Sequence, residues 1–347
     1  MTDETTNEWE IEDTGDRNDD ELRPHLEYEI LNYPADTTLE GYRQQQNDGI
    51  LELPKFQRKF VWNQVKASKL IESFLIGLPV PGVFLYKPRD SSTLQVIDGH
   101  QRITSVVSFL NGTIGEKKFR LKGVADAWLD KTFEELDEKD QFKLKQAVMR
   151  STIIQQLDPM DDTSIYLIFE RLNTGGMNLN PMEVRRCVSH GSFIDFVDRL
   201  NKYPAWRKCI NKPKIDQRFR DVELLLKVLA FCESRENYDK PAKVFLNKYT
   251  ADNRNRKNLD DLEERFNNAC DSVMNVFDEK PFHLRGRLNQ AAVDSILSTI
   301  MTLNSRPNSD SFKNLFEDEE FVQGTTRNTS DNLEVGLRLQ AAARHLG

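Results

Sequence analysis

Residues 94–110 read L-Q-V-I-D-G-H-Q-R-I-T-S-V-V-S-F-L and contain the change from strand to helix that decides the fold. Residues 94–97 are a short, largely apolar run, which is typical of a buried strand. Apolar residues then recur at helical spacing, at Ile103, Val106, Val107 and Leu110. Asn111-Gly112 is a helix stop signal. The stretch therefore predicts a strand, a tight turn and a helix.

Similar signals flank this stretch on both sides. Residues 64–76 have the apolar pattern of a helix that ends at Gly77. Short strands are predicted at residues 49–53, 83–86, 119–121 and 152–157. Beyond residue 158 the strand signals disappear and helical periods dominate. We therefore predict an α+β domain over residues 24–158, followed by an α-helical domain over residues 159–347.

The composition is that of a soluble globular protein. Of 347 residues, 38% are apolar and 30% are charged, which excludes collagenous and wholly disordered chains. No apolar run approaches the roughly 18 to 20 residues that a membrane span needs. The acidic start lacks the basic and apolar regions of a signal peptide. We therefore predict a cytoplasmic protein without a membrane partner.

Charge is distributed unevenly along the chain. Residues 1–23 contain ten acidic and two basic residues and are predicted to form an acidic disordered tail. Residues 55–122 contain twelve basic and four acidic residues, so an anionic ligand is expected there. Residues 202–227 contain eight basic and three acidic residues, and form either a solvated helical face or a surface for DNA.

The four cysteines are too far apart for a zinc knuckle or a disulfide framework. They lie at residues 187, 209, 232 and 270, and no pair has C-x-x-C spacing. In a cytoplasmic protein, thiols are kept reduced. We therefore expect the four thiols to be reduced and mostly buried.

The turn after the predicted strand, residues 98–102, concentrates functional side chains. Gly99 lets a ligand approach the backbone, and the free amides of the following helix attract anions. Arg102 provides a planar fork for phosphate oxygens, and Asp98 provides an oxygen for a divalent cation or an attacking water. His100 is a candidate for proton transfer near neutral pH. The structural alternative, an N-cap at Asp98 and a turn at Gly99, leaves the polar run from residue 100 to 102 unexplained.

Two further clusters flank this turn. Gln57 and Arg58 follow the first predicted strand, so that Arg58 and Arg102 would converge on one polyanion if both strands share a sheet. Trp62 either packs in the core or stacks on a base. Residues 169–176 favour an architectural role, because they end one helix before Asn180-Pro-Met-Glu starts the next. The alternative is that Arg171 and Asn173 face the nucleotide.

Four motifs occur in order along the chain and together resemble one known family. They read L-P-K-F-Q-R-K-F-V-W, G-L-P-V-P-G-V-F-L, V-I-D-G-H-Q-R-I-T and F-E-R-L-N-T-G-G-M-N-L. Over residues 51–188 the chain resembles the N-terminal domain of GmrSD-type modification-dependent restriction enzymes. The resemblance implies a ParB/sulfiredoxin-like fold for the first domain. It also implies a component of bacterial anti-phage defence.

The resemblance further implies a module that binds and hydrolyses a nucleoside triphosphate (NTP). From the chemistry of the side chains, we expect Asp98 and His100 to be the catalytic residues and Asp98 to be the ligand of a Mg²⁺ ion. The implied nucleotide-binding residues are Gln57, Arg58, Gly99, Gln101 and Arg102. The chain departs from the family's usual D-G-Q-Q-R motif at one position, where His100 replaces a glutamine.

The family commonly pairs this module with an HNH-type nuclease, and no nuclease domain is visible in this sequence. We therefore expect a specificity or regulatory subunit that acts with a separate nuclease, with modified DNA as a candidate partner. Nuclease activity of this chain alone is not expected. The alternative is a non-enzymatic DNA-binding or adaptor protein with the same fold.

Overall fold

The computed structural model describes residues 28–52, 62–89, 91–158, 164–172, 180–189 and 191–347. The chain divides into two compact units, which we call the sheet unit (Pro24–Val188) and the helical unit (Ser189–Gly347). The predicted acidic tail, residues 1–23, lies outside the described residues. A sheet with helices comes first and helices alone follow, so the predicted mixed α and β content and its order along the chain are confirmed.

The sheet unit contains a five-stranded mixed sheet and a separate two-stranded ribbon. Its strands are β1 (Glu29–Thr38), β2 (Leu51–Glu52), β3 (Val83–Tyr86), β4 (Leu94–Asp98), β5 (Thr113–Ile114), β6 (Lys117–Lys118) and β7 (Val148–Asp158). The order in the large sheet is β1-β7-β3-β4-β2, while β5 pairs with β6. β7 runs parallel to β3 and antiparallel to β1, and β4 runs antiparallel to β3 and parallel to β2.

Helices of the sheet unit pack against this sheet. They are α1 (Leu39–Asn47), α2 (Gln64–Ile76), α3 (His100–Leu110), α4 (Glu138–Gln146), α5 (Ser164–Leu172) and α6 (Pro181–Val188). Side chains of α1 to α4 form one hydrophobic core with residues of β3, β4 and β7, such as Leu85, Val96 and Ile153. Burial of these apolar side chains holds the β4–α3 connection in place.

Most of the local predictions in this unit are confirmed. The helix at residues 64–76, its stop at Gly77, the strands β3 and β4, and the helix α3 all occur where predicted. β7 is longer than the predicted strand at 152–157. β1 and α1 were not predicted. Two helices that the sequence analysis placed in the helical domain, α5 and α6, belong to the sheet unit.

The strand predicted at residues 119–121 is wrong. Phe119 and Leu121 are fully buried, which produced the strand-like apolar pattern. Their N–H groups donate instead to the carbonyls of Gly112 and Lys131, at 2.9 and 3.0 Å. The segment is therefore an irregular buried connection, because loop carbonyls satisfy the backbone that a sheet would otherwise pair.

The helical unit is built around two almost completely buried helices, α9 and α12. Its helices are α7 (Ser192–Leu200), α8 (Pro204–Cys209), α9 (Arg220–Ser234), α10 (Ala242–Asp252), α11 (Asp260–Val276), α12 (Gln290–Leu303), α13 (Ser309–Glu317), α14 (Glu319–Gly324) and α15 (Asn332–Leu346). All four cysteines of the chain are buried and none is in a disulfide, as predicted. None of the described helices combines the length and the apolar character that crossing a bilayer requires.

Candidate functional site

The candidate site begins at the turn between β4 and α3. Gly99 forms this turn with φ at 93°, in the left-handed region where an L side chain is strained. A Cβ atom at residue 99 would also lie 2.3 Å from Cγ1 of Val83 on β3. The turn therefore requires glycine for two independent reasons, its backbone conformation and the close approach of β3.

The N-terminus of α3 is open toward this turn. Gly99 occupies the N-cap position, no side chain among the described residues caps the helix, and its first turn contains no acidic residue. The structural alternative considered for Asp98, an N-cap, is therefore wrong. The first N–H groups of a helix have no partner within the helix and carry partial positive charge, so they attract anions.

Arg102 and Asp98 form an ion pair beside this helix end. Nη2 of Arg102 lies 2.6 Å from Oδ2 of Asp98 and also donates to the carbonyl of Gly82 at 3.0 Å. The Arg102 side chain is 18% exposed and the Asp98 side chain 41% exposed. Nε of Arg102 is buried and has no hydrogen-bond partner among the described residues. Arg102 is thus fixed in place by Asp98 and Gly82.

Gln101 connects the turn to the beginning of α2. Its Oε1 accepts a hydrogen bond of 3.3 Å from the backbone N–H of Trp62. Trp62 packs against the hydrophobic core, and Nζ of Lys66 lies 4.7 Å from the centre of its ring. Trp62 therefore packs against the core and stays partly exposed, and the described contact of Gln101 positions the chain.

His100 lies in the same turn and is partly buried. Its Nδ1 atom is buried and has no hydrogen-bond partner among the described residues. Burial lowers the pKa of His100 from 6.5 to about 4, because the charged imidazolium is poorly solvated there. At neutral pH the ring is therefore neutral, and it can orient a ligand or a water by hydrogen bonding without carrying a charge.

The lowered pKa of His100 predicts a pH dependence of stability. Between pH 6.5 and about 4 the unfolded chain binds a proton that the folded His100 does not bind, so the folded state loses stability as the pH falls through this range. The loss reaches up to about 3 kcal/mol at the acidic end. Urea unfolding of the wild type and of His100→Gln from pH 7 to pH 4 checks this. If the free energy of unfolding changes equally with pH in the wild type and in His100→Gln, the pKa of His100 is not lowered in the folded state.

The sheet order brings the end of β2 to the same edge as the end of β4. The two strands are parallel, and Glu52 at the end of β2 pairs with Gln95, three positions before Asp98. Gln57 and Arg58, predicted to contact the same anion as Arg102, lie outside the described residues. That prediction required the strands that precede Arg58 and Arg102 to lie in one sheet. β2 and β4 do lie in one sheet.

Arg150 is a residue that the sequence analysis missed. Ser151 on β7 pairs with Val83 on β3, so Arg150 is the neighbour of Gly82. A Cβ atom on Gly82 would lie 3.0 Å from the carbonyl of Arg150. Since Arg102 also binds the Gly82 carbonyl, both arginines adjoin the same glycine. The Arg150 side chain is 84% exposed, and its Nε lies 3.9 Å from Oδ1 of Asp36. Arg150 lies beside Gly82 because of the register in which β7 pairs with β3. No local pattern in the sequence predicts that register.

The helix that follows the third sequence cluster begins as predicted. The N–H of Glu183 donates to Oδ1 of Asn180 at 2.8 Å, and the N–H of Asn180 donates to Oε2 of Glu183 at 2.7 Å. This reciprocal pair is a capping box that starts α6 at Pro181, as predicted. Residues 173–176 lie outside the described residues. Within the described ranges, no group of three or more His, Cys, Asp or Glu side chains is arranged to hold a metal ion.

The site thus combines an open helix N-terminus, a fixed arginine and an accessible carboxylate around one glycine turn. Such an arrangement is chemically suited to an anion, and the carboxylate is an oxygen ligand of the kind that a divalent cation takes. Comparison with curated proteins and with solved structures finds no match. Residues 39–189, which include this site, match the family model described as the GmrSD restriction endonuclease, N-terminal domain, and the match implies a component of a restriction system.

Proposed function

We propose that the sheet unit binds and hydrolyses a nucleoside triphosphate, and that the chain is a regulatory or specificity subunit of a bacterial anti-phage restriction system. The observation that carries this proposal is the Gly99 turn, which places Arg102 and Asp98 at an uncapped helix N-terminus. The strand–glycine–helix arrangement is one that recurs at phosphate sites. The proposed fold type is ParB/sulfiredoxin-like.

Phosphate oxygens are proposed to bind at the N-terminus of α3. Gly99 has no side chain to block them, and the free N–H groups of α3 together with Arg102 donate to them. Gln57 and Arg58, on the connection that follows β2, are proposed to contact the same ligand.

Mg²⁺ fits this arrangement through Asp98. Mg²⁺ is commonly held by one or two carboxylates, water and the phosphates of the substrate. The Asp98 carboxylate is 41% exposed and therefore accessible to a hydrated cation. When bound, the ion neutralises charge on the phosphates. Asp98 itself orients the water that attacks, and its pair with Arg102 holds the carboxylate in one position.

His100 is proposed to orient a water or a phosphate oxygen in its neutral form. A pKa of about 4 makes the ring a weak base, so it contributes mainly a fixed hydrogen bond. The glutamine of the related D-G-Q-Q-R motif is also a neutral hydrogen-bonding group. The substitution of His100 for glutamine therefore preserves the type of contact.

At the level of the system, we propose that hydrolysis controls a separate nuclease of the HNH type. Modified DNA is the proposed target of that assembly, in the bacterial cytoplasm. The family match to a restriction endonuclease domain supports this assignment.

Phosphate release with Mg²⁺ and ATP, GTP, CTP or UTP tests the proposed activity. The Asp98→Asn variant is expected to lower turnover at least about 100-fold, a loss of roughly 3 kcal/mol of transition-state stabilisation. Glu40→Gln is the matched control, because Glu40 also pairs with an arginine on a helix of this unit, Arg43 on α1. The control is expected to keep the wild-type rate within about twofold.

Two outcomes would contradict the proposal. A wild-type chain that neither binds nor hydrolyses any of the four nucleotides would move the function to the DNA-binding or adaptor alternative. If Asp98→Asn hydrolyses nucleotide as fast as the wild type, Asp98 is not a catalytic residue.

A further inference from the structure

Residues 76–81, at the end of α2 and before β3, expose an apolar surface to solvent. They read I-G-L-P-V-P and contain no polar side chain. Ile76 is 52% exposed and Leu78 is 54% exposed, and both prolines are exposed as well. Single exposed apolar residues are ordinary, whereas a run of them is avoided unless it has a function. We use the name apolar loop for residues 76–81.

The apolar loop is held in place by its own backbone and by the core. At its start, the N–H groups of Gly77 and Leu78 donate to carbonyls of α2, at 3.3 and 2.8 Å. Val80 packs against the hydrophobic core. The two prolines restrict the backbone dihedral angles of the segment. The exposed side chains are therefore presented on a preorganised backbone, and a ligand that covers them has little chain entropy to overcome.

The apolar loop leads directly into the candidate site. Its last residue, Pro81, is followed by Gly82, whose carbonyl accepts the 3.0 Å hydrogen bond from Arg102. Gly82 in turn precedes β3, the strand that approaches the turn at Gly99. Leu78 lies four residues before Gly82, and a chain of that length spans at most about 14 Å. The exposed apolar surface thus begins beside the guanidinium that is proposed to bind phosphate.

The size of the apolar loop favours a small ligand over a protein partner. A standard protein–protein interface takes about 20 to 30 residues from each side. The apolar loop has six residues, between Leu75, which is buried, and Gly82. Small-molecule sites combine apolar lining with a few polar groups that fix the orientation of the ligand. Here the apolar loop supplies the lining, and Arg102 with the N-terminus of α3 supplies the polar groups.

We propose that the apolar loop is a platform for the base and sugar of the nucleotide whose phosphates bind at the N-terminus of α3. This inference rests on the proposed function. Phosphates held at α3 leave the sugar and base at the other end of the ligand. The faces of a base are apolar, and covering aliphatic side chains with them removes apolar surface from water. Ile76 and Leu78 therefore add affinity for a nucleotide and none for a phosphate chain alone.

Binding of two kinds of ligand to the full chain, with Mg²⁺ and measured by calorimetry, tests the proposal. The first kind comprises the non-hydrolysable β,γ-imido analogues of ATP, GTP, CTP and UTP, and the second is inorganic tripolyphosphate. The variant Ile76→Ser/Leu78→Ser removes exposed apolar surface and no charge. We expect it to raise the Kd of the nucleotide analogues about tenfold and that of tripolyphosphate less than about twofold.

Leu31→Ser is the matched control, since Leu31 is 44% exposed and also lies in the sheet unit. Leu31 pairs with Gln155, four residues beyond Ser151, which pairs with Val83 at the start of β3. β7 lies between β1 and β3, so Leu31 is two strands away from β3 and toward its other end. The control is expected to bind both kinds of ligand as the wild type does.

The ligands separate a failure of this inference from a failure of the proposed function. If the wild type binds tripolyphosphate and the double variant binds the nucleotide analogues as tightly as the wild type, the inference is wrong and the phosphate site remains. Equal losses for both kinds of ligand would also overturn it, because the apolar loop would then act only on the phosphate site. A wild type that binds none of the five ligands would contradict the proposed function and this inference together.

Discussion

Replacing Arg102 by alanine is expected to lower nucleotide turnover at least about 100-fold and to weaken nucleotide binding. Each hydrogen bond from a charged group contributes roughly 1.5 to 3 kcal/mol, so two lost phosphate contacts amount to about 3 kcal/mol or more. The variant also releases Asp98 from its 2.6 Å ion pair and so disturbs the orientation of that carboxylate. Phosphate release and equilibrium binding of a labelled nucleotide measure the two effects separately.

Arg43→Ala is the matched control for this experiment. Arg43 also bonds to one acid, Glu40, and to one backbone carbonyl, that of Leu110 at 3.3 Å. Leu110 is at the C-terminal end of α3, whereas Arg102 lies in its first turn. The control variant is expected to retain turnover. If Arg102→Ala hydrolyses nucleotide as fast as Arg43→Ala, the assignment of the helix N-terminus as the phosphate site is wrong.

Gly99→Ala is expected to destabilise the protein by about 3 kcal/mol, within a range of roughly 2 to 5. The left-handed conformation costs an alanine about 1 to 2 kcal/mol. The new Cβ atom would also lie 2.3 Å from Cγ1 and 2.8 Å from Cβ of Val83, so β3 and β4 must separate. Urea unfolding of the full chain, followed by circular dichroism, measures the loss.

Gly112→Ala separates the two causes. Gly112 follows the other end of α3 and has φ at 78°, and a Cβ atom added to it would meet no atom within 4 Å beyond its neighbours in sequence. Its substitution is expected to cost only the backbone strain of about 1 to 2 kcal/mol. In a double-mutant cycle, Gly99→Ala and Val83→Ala should show a coupling energy above about 1 kcal/mol. The corresponding cycle of Gly112→Ala with Val83→Ala should not. Equal losses at both glycines would show that contact with Val83 is unimportant.

The strand–turn–helix around residue 99 was predictable because its signals are local. Apolar spacing indicated α3, and Gly77 and Gly112 marked the ends of α2 and α3. The order of the motifs also predicted the resemblance over residues 51–188, and the family model matches residues 39–189.

What sequence reasoning missed depends on contacts between distant segments. β1 has exposed and half-buried residues in an irregular pattern, so it shows little of the alternation that marks a strand. It is a strand because β7 pairs with it along its length. The place of Arg150 beside Gly82 follows from strand register alone.

The position of β7 has a consequence for how the sheet unit is made during translation. β7 is the last strand of the sheet in sequence, yet it lies between β1 and β3. β1 therefore cannot pair until residues 148–158 have left the ribosome, more than 100 residues after β1 itself. Such long-range pairing slows folding, and an unpaired strand edge is prone to aggregate. During synthesis of the residues between them, β1 therefore lacks the strand with which it pairs in the folded unit.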